Sequence, residues 1–386
     1  MVNPICEKLG STPSMIRELF AYGLRRSAEV GPEHVYDYSL GNPSIPAPQP
    51  VQQALLDVLH DTDPIQVHGY SMARRAVAED LTHRFGMTIR PEELFFTCGA
   101  AAALISVIRA LTVSPDSEFV AIAPYFPEYL PFVESNGGKL VSVDTFQISL
   151  DILEAHLTSH TQAVLVNSPN NPTGVVYSRQ TLEGLAELLR RKSTQFGHPI
   201  YLIADEPYRE LVYDGVEVPF LPTIYPNTLV CYSYSKSLSL PGERIGYVCV
   251  PSCVEGQADV LHAVAGAARS SGHVCPPTLV QLALQRCADA RPDLAAYDAN
   301  RRLLYRELTQ MGYECIPPQG AFYLFLRVPD GDDVAFSQRA KLEHDLLVVP
   351  STAFHCPGFL RLSYCVSHDM ILRSLPAFRA IREKYQ

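Results

Sequence analysis

Between residues 91 and 250 the chain alternates between short apolar runs and segments with helical periodicity. Each run is bounded by Gly, Pro, Asn or Asp and is apolar at consecutive positions, which is typical of strands buried on both faces. The runs lie at residues 94–96, 119–122, 140–143, 163–166, 201–204, 229–231 and 245–250. Because strands and helices alternate, we predict an α/β fold with a mostly parallel sheet flanked by helices. Ligands of such sheets bind at the carboxyl ends of the strands.

Two segments between these runs carry clear helical signals. One follows Ser178, whose side chain can cap a helix, and its apolar residues recur at helical spacing: Leu182, Leu185, Ala186 and Leu189. The other begins near Ala100 and places Leu104, Ile105 and Ile108 on one face. We predict that both helices pack against the sheet.

The pattern changes after about residue 256. A long helical stretch runs through residues 300–308, and strand-like segments follow at residues 322–327, 346–349 and 359–364, before a last helix from Ser367. This order predicts a smaller α+β domain. We therefore expect an N-terminal arm with part of the small domain at residues 1–45, a large α/β domain at 46–268 and a small C-terminal domain at 269–386.

The composition argues against several classes of protein. The chain has 386 residues, 47% of them hydrophobic and 19% charged, which favours a folded protein over a disordered one. Its net charge of −10 argues against binding to nucleic acid or to an anionic membrane. No apolar stretch suits a signal peptide or a membrane span, and the ten cysteines include no C-x-x-C pair. We expect a cytoplasmic protein with reduced thiols and without a metal site.

A lysine and an arginine lie close together just after the run at 229–231. Lys236 follows this run in the sequence Ser-Tyr-Ser-Lys, and Arg244 opens the next apolar segment. A lysine beside a buried strand end, among hydroxyl groups, is well placed for Schiff-base chemistry, and the arginine suits a fixed anion. Taken alone, the segment also fits a surface lysine and a structural arginine.

Three further strand ends carry polar or small residues. Asp205 and Tyr208 follow the run at 201–204, where a buried carboxylate needs a cationic partner, although a lone Asp there also suits a helix N-cap. Asn171 lies in a turn at 167–174 that two prolines and a glycine make rigid. The small residues at 99–101 join a strand to a helix, so their backbone N–H groups can approach a phosphate.

Together these motifs resemble the pyridoxal-phosphate-dependent aminotransferases of the aspartate aminotransferase type, which have fold type I. The resemblance is collinear over about residues 39–378 and rests on the Lys-to-Arg spacing, the Asn-Pro-x-Gly turn and Asp-Glu-Pro-Tyr. It implies that pyridoxal 5′-phosphate is the cofactor. It also implies a homodimer whose subunits share active sites.

The resemblance implies a catalytic role for three residues. Lys236 is similar to the lysine that holds the cofactor as a Schiff base and later moves the 1,3-proton. Asp205 is similar to the partner of the pyridine nitrogen, whose charge lets the ring act as an electron sink. Tyr208, with Asn171, is similar to the pair that hydrogen-bonds the ring oxygen O3′.

Further residues resemble the family's binding groups. The residues similar to its phosphate-binding groups are Arg244, Ser233 and the backbone of Gly99, Ala100 and Ala101, together with Tyr70 of the neighbouring subunit. Phe126 is similar to the aromatic residue that stacks on the ring. Those for the substrate carboxylate are Arg361, Gly41 and Asn171. One departure is that Tyr70 runs almost directly into the helical segment at 73–76, without the usual glycine-containing connector, which bears on the reach of Tyr70.

The function implied is a ping-pong transfer of an amino group between an L-amino acid and a 2-oxo acid. A C–S β-lyase or a decarboxylase on the same fold remains open. A serine acyl-enzyme would need S-D-N and K-T-G elements, which the chain lacks. A non-catalytic regulator with this fold would need a DNA-binding domain before Ser39 and a net charge that suits binding to nucleic acid. Arg17 and Arg269 are candidates for binding a distal carboxylate, and the donor stays undefined.

Overall fold

The computed structural model describes residues 2–11, 14–61, 69 and 72–385. Its strands are β1 (Tyr36–Asp37), β2 (Leu94–Thr97), β3 (Glu118–Ala123), β4 (Lys139–Asp144), β5 (Thr161–Asn167), β6 (Tyr201–Asp205), β7 (Thr228–Ser233), β8 (Gly246–Cys249), β9 (Glu314–Ile316), β10 (Tyr323–Arg327), β11 (Leu346–Leu347), β12 (Val349–Pro350) and β13 (Phe359–Ser363). Its helices are α1 (Pro4–Ser11), α2 (Met15–Val30), α3 (Gln49–Asp61), α4 (Arg74–Phe85), α5 (Ala100–Leu111), α6 (Tyr129–Glu134), α7 (Leu150–His156), α8 (Arg179–Phe196), α9 (Tyr234–Ser237), α10 (Gln257–Ser270), α11 (Thr278–Cys287), α12 (Ala295–Gln310), α13 (Asp333–His344) and α14 (His368–Glu383).

Seven strands form the central sheet in the order β2-β8-β7-β6-β5-β3-β4. Strand β8 runs antiparallel to both of its neighbours, and the other pairs are parallel. All seven predicted apolar runs lie in these strands, with shifts of one or two residues at their ends. The predicted mostly parallel α/β sheet is therefore confirmed.

Helix α8 shows why the helical pattern could be read in advance. The Ser178 side chain accepts a hydrogen bond from the backbone N–H of Thr181 at 3.1 Å, and Gly197 ends the helix with φ of 77°. The predicted apolar face is buried: Leu182, Leu185, Ala186 and Leu189. The cap satisfies a free N–H of the first turn, and burial of that face fixes the helix on the sheet.

A second, antiparallel sheet has the order β12-β13-β10-β9. The predicted single strand at 346–349 was wrong, because β11 pairs with β1 while β12 pairs with β13. The break is at Val348, whose carbonyl accepts a hydrogen bond from Ser337 Oγ of α13 at 2.7 Å instead of joining a ladder. Strand β9 was not predicted, since three partly exposed residues give no clear alternation.

The described residues form three large hydrophobic cores: the first packs α3, α4, α8 and α11 on the central sheet, the second surrounds β10 and β13, and the third packs α5 and α10 on the central sheet. Tyr38 lies in the second core, with its ring centroid 5.8 Å from that of Phe378, so this part of the N-terminal segment packs with the C-terminal helix. Helix α11, beyond the predicted boundary at residue 268, contributes Val280 and Leu284 to the first core beside α3. The domain boundaries remain predictions. We propose that the boundary predicted at residue 268 lies nearer to residue 290.

None of the helices in the described ranges combines the length and the apolar composition that a bilayer crossing requires.

Candidate active site

Three polar residues end neighbouring parallel strands at one edge of the central sheet. Asn167 ends β5, Asp205 ends β6 and Ser233 ends β7, and Asn167 and Asp205 are paired in register. Carboxyl ends of parallel strands meet at one edge, which is where ligands of open α/β sheets bind. This edge is the base of the candidate site.

Asp205 is a buried carboxylate with one oxygen left free. Its Oδ2 accepts hydrogen bonds from Tyr129 Oη at 2.6 Å and from Asn167 Nδ2 at 3.4 Å, whereas Oδ1 has no partner. Burial raises the pKa of Asp205 to about 7. Among the described residues no cation pairs with this carboxylate, so the cationic partner expected from the sequence is not a protein side chain. The free oxygen therefore suits an N–H group brought by a ligand.

Lys236 lies in the short helix α9, three residues after Ser233. Its Nζ donates a hydrogen bond to the carbonyl of Gly41 at 2.6 Å and lies 5.7 Å from the centroid of the Phe322 ring. Burial lowers the pKa of Lys236 to about 8, since the charged ammonium is poorly solvated there. With this pKa roughly a tenth of the amine is neutral, and thus nucleophilic, at pH 7.

Gly99, which precedes α5, brings the backbone close to a cation. A Cβ atom at Gly99 would lie 2.8 Å from Arg244 Nη2, and the residue has φ of 86°, so a side chain would both clash and strain the backbone. The guanidinium of Arg244 donates to the carbonyls of Pro241 and Cys98, at 2.9 and 3.2 Å. The helix start, carrying Ala100 and Ala101, therefore lies beside an exposed arginine.

Ser233 ends β7 at the same edge of the sheet. It pairs in register with Gly246, where a Cβ atom would lie 3.0 Å from Gly99. Its Oγ accepts a hydrogen bond from the backbone N–H of Ser235 at 3.1 Å. The Ser235 hydroxyl lies 2.8 Å from that of Ser233. Two hydroxyls, a helix N-terminus and a guanidinium thus lie at this edge of the sheet, a donor set that suits a phosphate.

Arg361 is a buried arginine with a free donor. It is 2% exposed in β13. Its Nη1 donates to Asn171 Oδ1 at 3.2 Å and its Nη2 to the carbonyl of Ser39, while Nε has no partner. Burial lowers its pKa, and the nearby Asp37 opposes that effect. A buried guanidinium with an unused N–H is suited to an anionic ligand.

Tyr208 and Asn171 connect the two ends of the site. Tyr208 Oη lies 2.8 Å from Tyr323 Oη, and burial raises the pKa of Tyr208 well above its usual value. The backbone N–H of Asn171 donates to Asn167 Oδ1 at 2.7 Å. Asn171 thereby links Arg361 to the residue that also contacts Asp205.

The remaining predicted residues have no described contact with Asp205, Lys236 or Arg361. Phe126 is half-buried and packs edge-on against Tyr129, with ring centroids 5.8 Å apart, so it lies near Asp205 through that tyrosine. Tyr70 lies outside the described residues. Arg17 is exposed and 3.9 Å from Glu128.

Sequence reasoning missed Tyr129, Asn167 and Tyr323. Asn167 opens the turn at 167–174 that had already been noted, whereas Tyr129 lies three residues after Phe126 and outside any noted motif. Tyr323 lies within the predicted strand segment at 322–327. A buried tyrosine usually needs a hydrogen-bond partner, and that was the available signal.

Comparisons with known proteins match this geometry. A family model described as aminotransferase class I and II matches residues 34–378. The chain is 32% identical over 357 residues to an aspartate aminotransferase of Thermotoga maritima, covering 89% of this chain and 90% of that protein. It is 31% identical over 357 residues to an aspartate/prephenate aminotransferase of Thermus thermophilus, covering 88% and 89% respectively.

Solved structures agree. An amino transferase from Eubacterium rectale has a TM-score of 0.97 and 50% identity, covering 100% of this chain and 99% of that one. An aspartate aminotransferase from Thermus thermophilus with maleate has a TM-score of 0.84 and 28% identity, covering 99% of both chains.

Proposed function

The chain belongs to the class I and II aminotransferase family, and from this premise we propose that Lys236, Asp205 and Arg361 carry its amino transfer. The activity is that of a pyridoxal-phosphate-dependent transaminase, and the relatives do not favour the lyase or decarboxylase alternative. The observation that supports the residue assignment is an unbroken series of contacts. It runs from Lys236 through Gly41, Tyr323, Arg361, Asn171 and Asn167 to Asp205.

The residues at the site fit pyridoxal 5′-phosphate. The free Asp205 Oδ1 suits a pyridinium N–H, and the close approach of Arg244 to Gly99 suits a phosphate. We assign covalent attachment to Lys236. The other proposed cofactor contacts are Gly99, Ala100, Ala101, Phe126, Asn171, Asp205, Tyr208, Ser233 and Arg244, with Tyr70 from a second subunit.

When bound, this cofactor supplies an electron sink for the carbanion that forms as the substrate loses its α-proton. Asp205 would hold the ring nitrogen, because a nearby opposite charge favours the protonated form of that nitrogen. Tyr208 and Asn171 would donate hydrogen bonds to the ring oxygen. Arg361 binds the α-carboxylate with its Nε and orients the α-carbon toward Lys236, whose Nζ takes and returns the proton. A positioned base of this kind contributes about 10²–10⁴ in rate.

The proposed cycle is ping-pong, with an L-amino acid leaving as a 2-oxo acid before a second 2-oxo acid enters. We propose a homodimer with shared active sites and a cytoplasmic location. Ten free thiols support the reducing compartment. The relatives' names include aspartate, prephenate and aromatic amino acids, so we propose a donor from the acidic or aromatic classes.

The test is a panel of half-reactions. The holoenzyme is mixed with one amino donor at a time, without an acceptor, and the conversion of the bound cofactor to its amine form is followed by absorbance. We expect one donor class to convert it stoichiometrically and 2-oxoglutarate to reverse the change. Release of pyruvate and ammonia from a β-substituted amino acid, without conversion of the cofactor, would instead support the lyase alternative.

The rate at which the cofactor-free protein captures pyridoxal 5′-phosphate is expected to rise with pH around a midpoint near 8. The reason is that burial lowers the pKa of Lys236 to about 8, so the attacking amine becomes neutral through that range. Stopped-flow absorbance between pH 6 and about 10 measures this profile. A rate that keeps rising toward 10.5, the usual lysine value, would contradict the assignment.

A further inference from the structure

Tyr323 touches both ends of the proposed site. It opens β10, which pairs with β13, the strand that carries Arg361. Its Oη lies 2.8 Å from Tyr208 Oη, and its ring centroid lies 4.8 Å from Arg361 Cζ. A Cβ atom at Gly41 would overlap the same Oη, so the hydroxyl occupies the space that a side chain there would need. The residue is 2% exposed.

The hydroxyl of Tyr323 acts on the phenol of Tyr208. Burial raises the pKa of both groups, that of Tyr323 to about 12, so both phenols are protonated near neutral pH. One therefore donates to the other. When Tyr323 donates, the oxygen of Tyr208 is the acceptor and its own proton is free for the ring oxygen of the cofactor. A hydroxyl that accepts a hydrogen bond is also a stronger donor.

The ring of Tyr323 acts on Arg361. The guanidinium contacts two aromatic rings, with Cζ 4.8 Å from the centroid of Tyr323 and 5.0 Å from that of Phe354. Aromatic faces attract a guanidinium and restrict its rotation. Its Nε edge is thereby left free for a carboxylate.

We propose that Tyr323 is a positioning residue that orients Tyr208 through its hydroxyl and Arg361 through its ring. This inference rests on the proposed function, since it needs Tyr208 at the cofactor and Arg361 at the substrate. It gives the hydroxyl and the ring of one side chain different roles, and two substitutions can test these roles separately.

Tyr323→Phe removes the hydroxyl and keeps the ring, and Tyr323→Leu removes both. The first readout is the pH midpoint of the visible absorbance of the lysine-bound cofactor. A weaker donor at the ring oxygen stabilises the ring's anionic form less, so the midpoint should rise in both variants by about half to one pH unit, the equivalent of one hydrogen bond.

The second readout is the dissociation constant of 3-phenylpropanoate, a carboxylate without an amine, measured by calorimetry on the holoenzyme. Tyr323→Phe should leave it within about twofold, because the ring over Arg361 remains. Tyr323→Leu should weaken it roughly fivefold, since one cation–π contact is lost. Tyr38→Phe is the matched control, because it removes a buried hydroxyl that lies 2.7 Å from Ser374 Oγ in the same core.

A double-mutant cycle with Tyr208→Phe separates positioning from a general structural effect. If Tyr323 acts through Tyr208, its change to Phe adds no further shift of the midpoint once Tyr208 is already Phe. An unchanged midpoint in Tyr323→Phe, or an equal shift in both backgrounds, overturns the hydroxyl's role. Unweakened binding of 3-phenylpropanoate to Tyr323→Leu overturns the ring's role. If Tyr323→Leu fails to fold, Tyr323→Met is measured in its place. If the wild-type protein itself forms no visible absorbance, the proposed function fails and this inference fails with it, whereas a failure of the inference alone leaves the wild-type absorbance intact.

Discussion

Replacing Lys236 with alanine is expected to abolish the absorbance of the lysine-bound cofactor and the transaminase turnover of the reconstituted protein. No other described lysine offers a half-buried amine at the carboxyl edge of the central sheet, where Asp205 and Ser233 end their strands. Loss of the attachment point removes covalent capture, and loss of the proton carrier alone costs about 10²–10⁴ in rate. Absorbance after incubation with pyridoxal 5′-phosphate and a coupled turnover assay measure the two effects.

Lys192→Ala is the control for this substitution. Lys192 lies on α8 with its Nζ 3.1 Å from a Glu154 oxygen, away from the sheet edge, so its loss should change neither readout. Circular dichroism should show that both variants remain folded, because neither lysine belongs to a hydrophobic core. Persistence of the absorbance together with turnover in Lys236→Ala would move the attachment to another residue.

Local sequence patterns predicted much of the fold because they encode burial. The apolar run at 201–204 and the capped, periodic segment after Ser178 each report which side chains face a core, and the structure places them so. The same patterns marked Asp205 as unusual, since a carboxylate after such a run needs a partner. The motifs could therefore be assigned to strand ends before any contact was known.

Contacts between distant parts of the chain could not be predicted in this way. Tyr129 and Asp205 are 76 positions apart, and Tyr208 and Tyr323 are 115 apart, yet each pair shares a hydrogen bond. No local periodicity states which two polar atoms will meet. The split of the strand at 346–349 has the same origin, because one half pairs with the distant strand β1 and the other with β13.

Changing Asp205 to asparagine is expected to lower turnover by at least about 10²-fold while the protein still captures the cofactor. Asparagine can keep the hydrogen bond from Tyr129, but it replaces a charge with a neutral amide at the position of the unpartnered Oδ1. Removing one preorganised electrostatic group of this kind typically costs about 10²–10³ in rate. Capture depends on Lys236 and the phosphate contacts, so the visible absorbance should form.

The same substitution should stabilise the cofactor-free protein. The pKa of Asp205 is raised from 3.8 to about 7 by burial, so the folded state holds a proton that the unfolded state releases from about pH 4 upward. The folded protein therefore loses stability as the pH rises from about 4 to 7 and stays less stable above that, by on the order of 4 kcal/mol. The asparagine side chain carries no such charge, so D205N should melt at a higher temperature than the wild type at pH 8 and at about the same temperature at pH 4.

The control is Asp259→Asn, an exposed position on α10, which should change neither turnover nor the melting temperature at pH 8. Equal melting temperatures for wild type and D205N at pH 8, or near-normal turnover, would mean that Asp205 is not the buried charge on which the ring nitrogen depends.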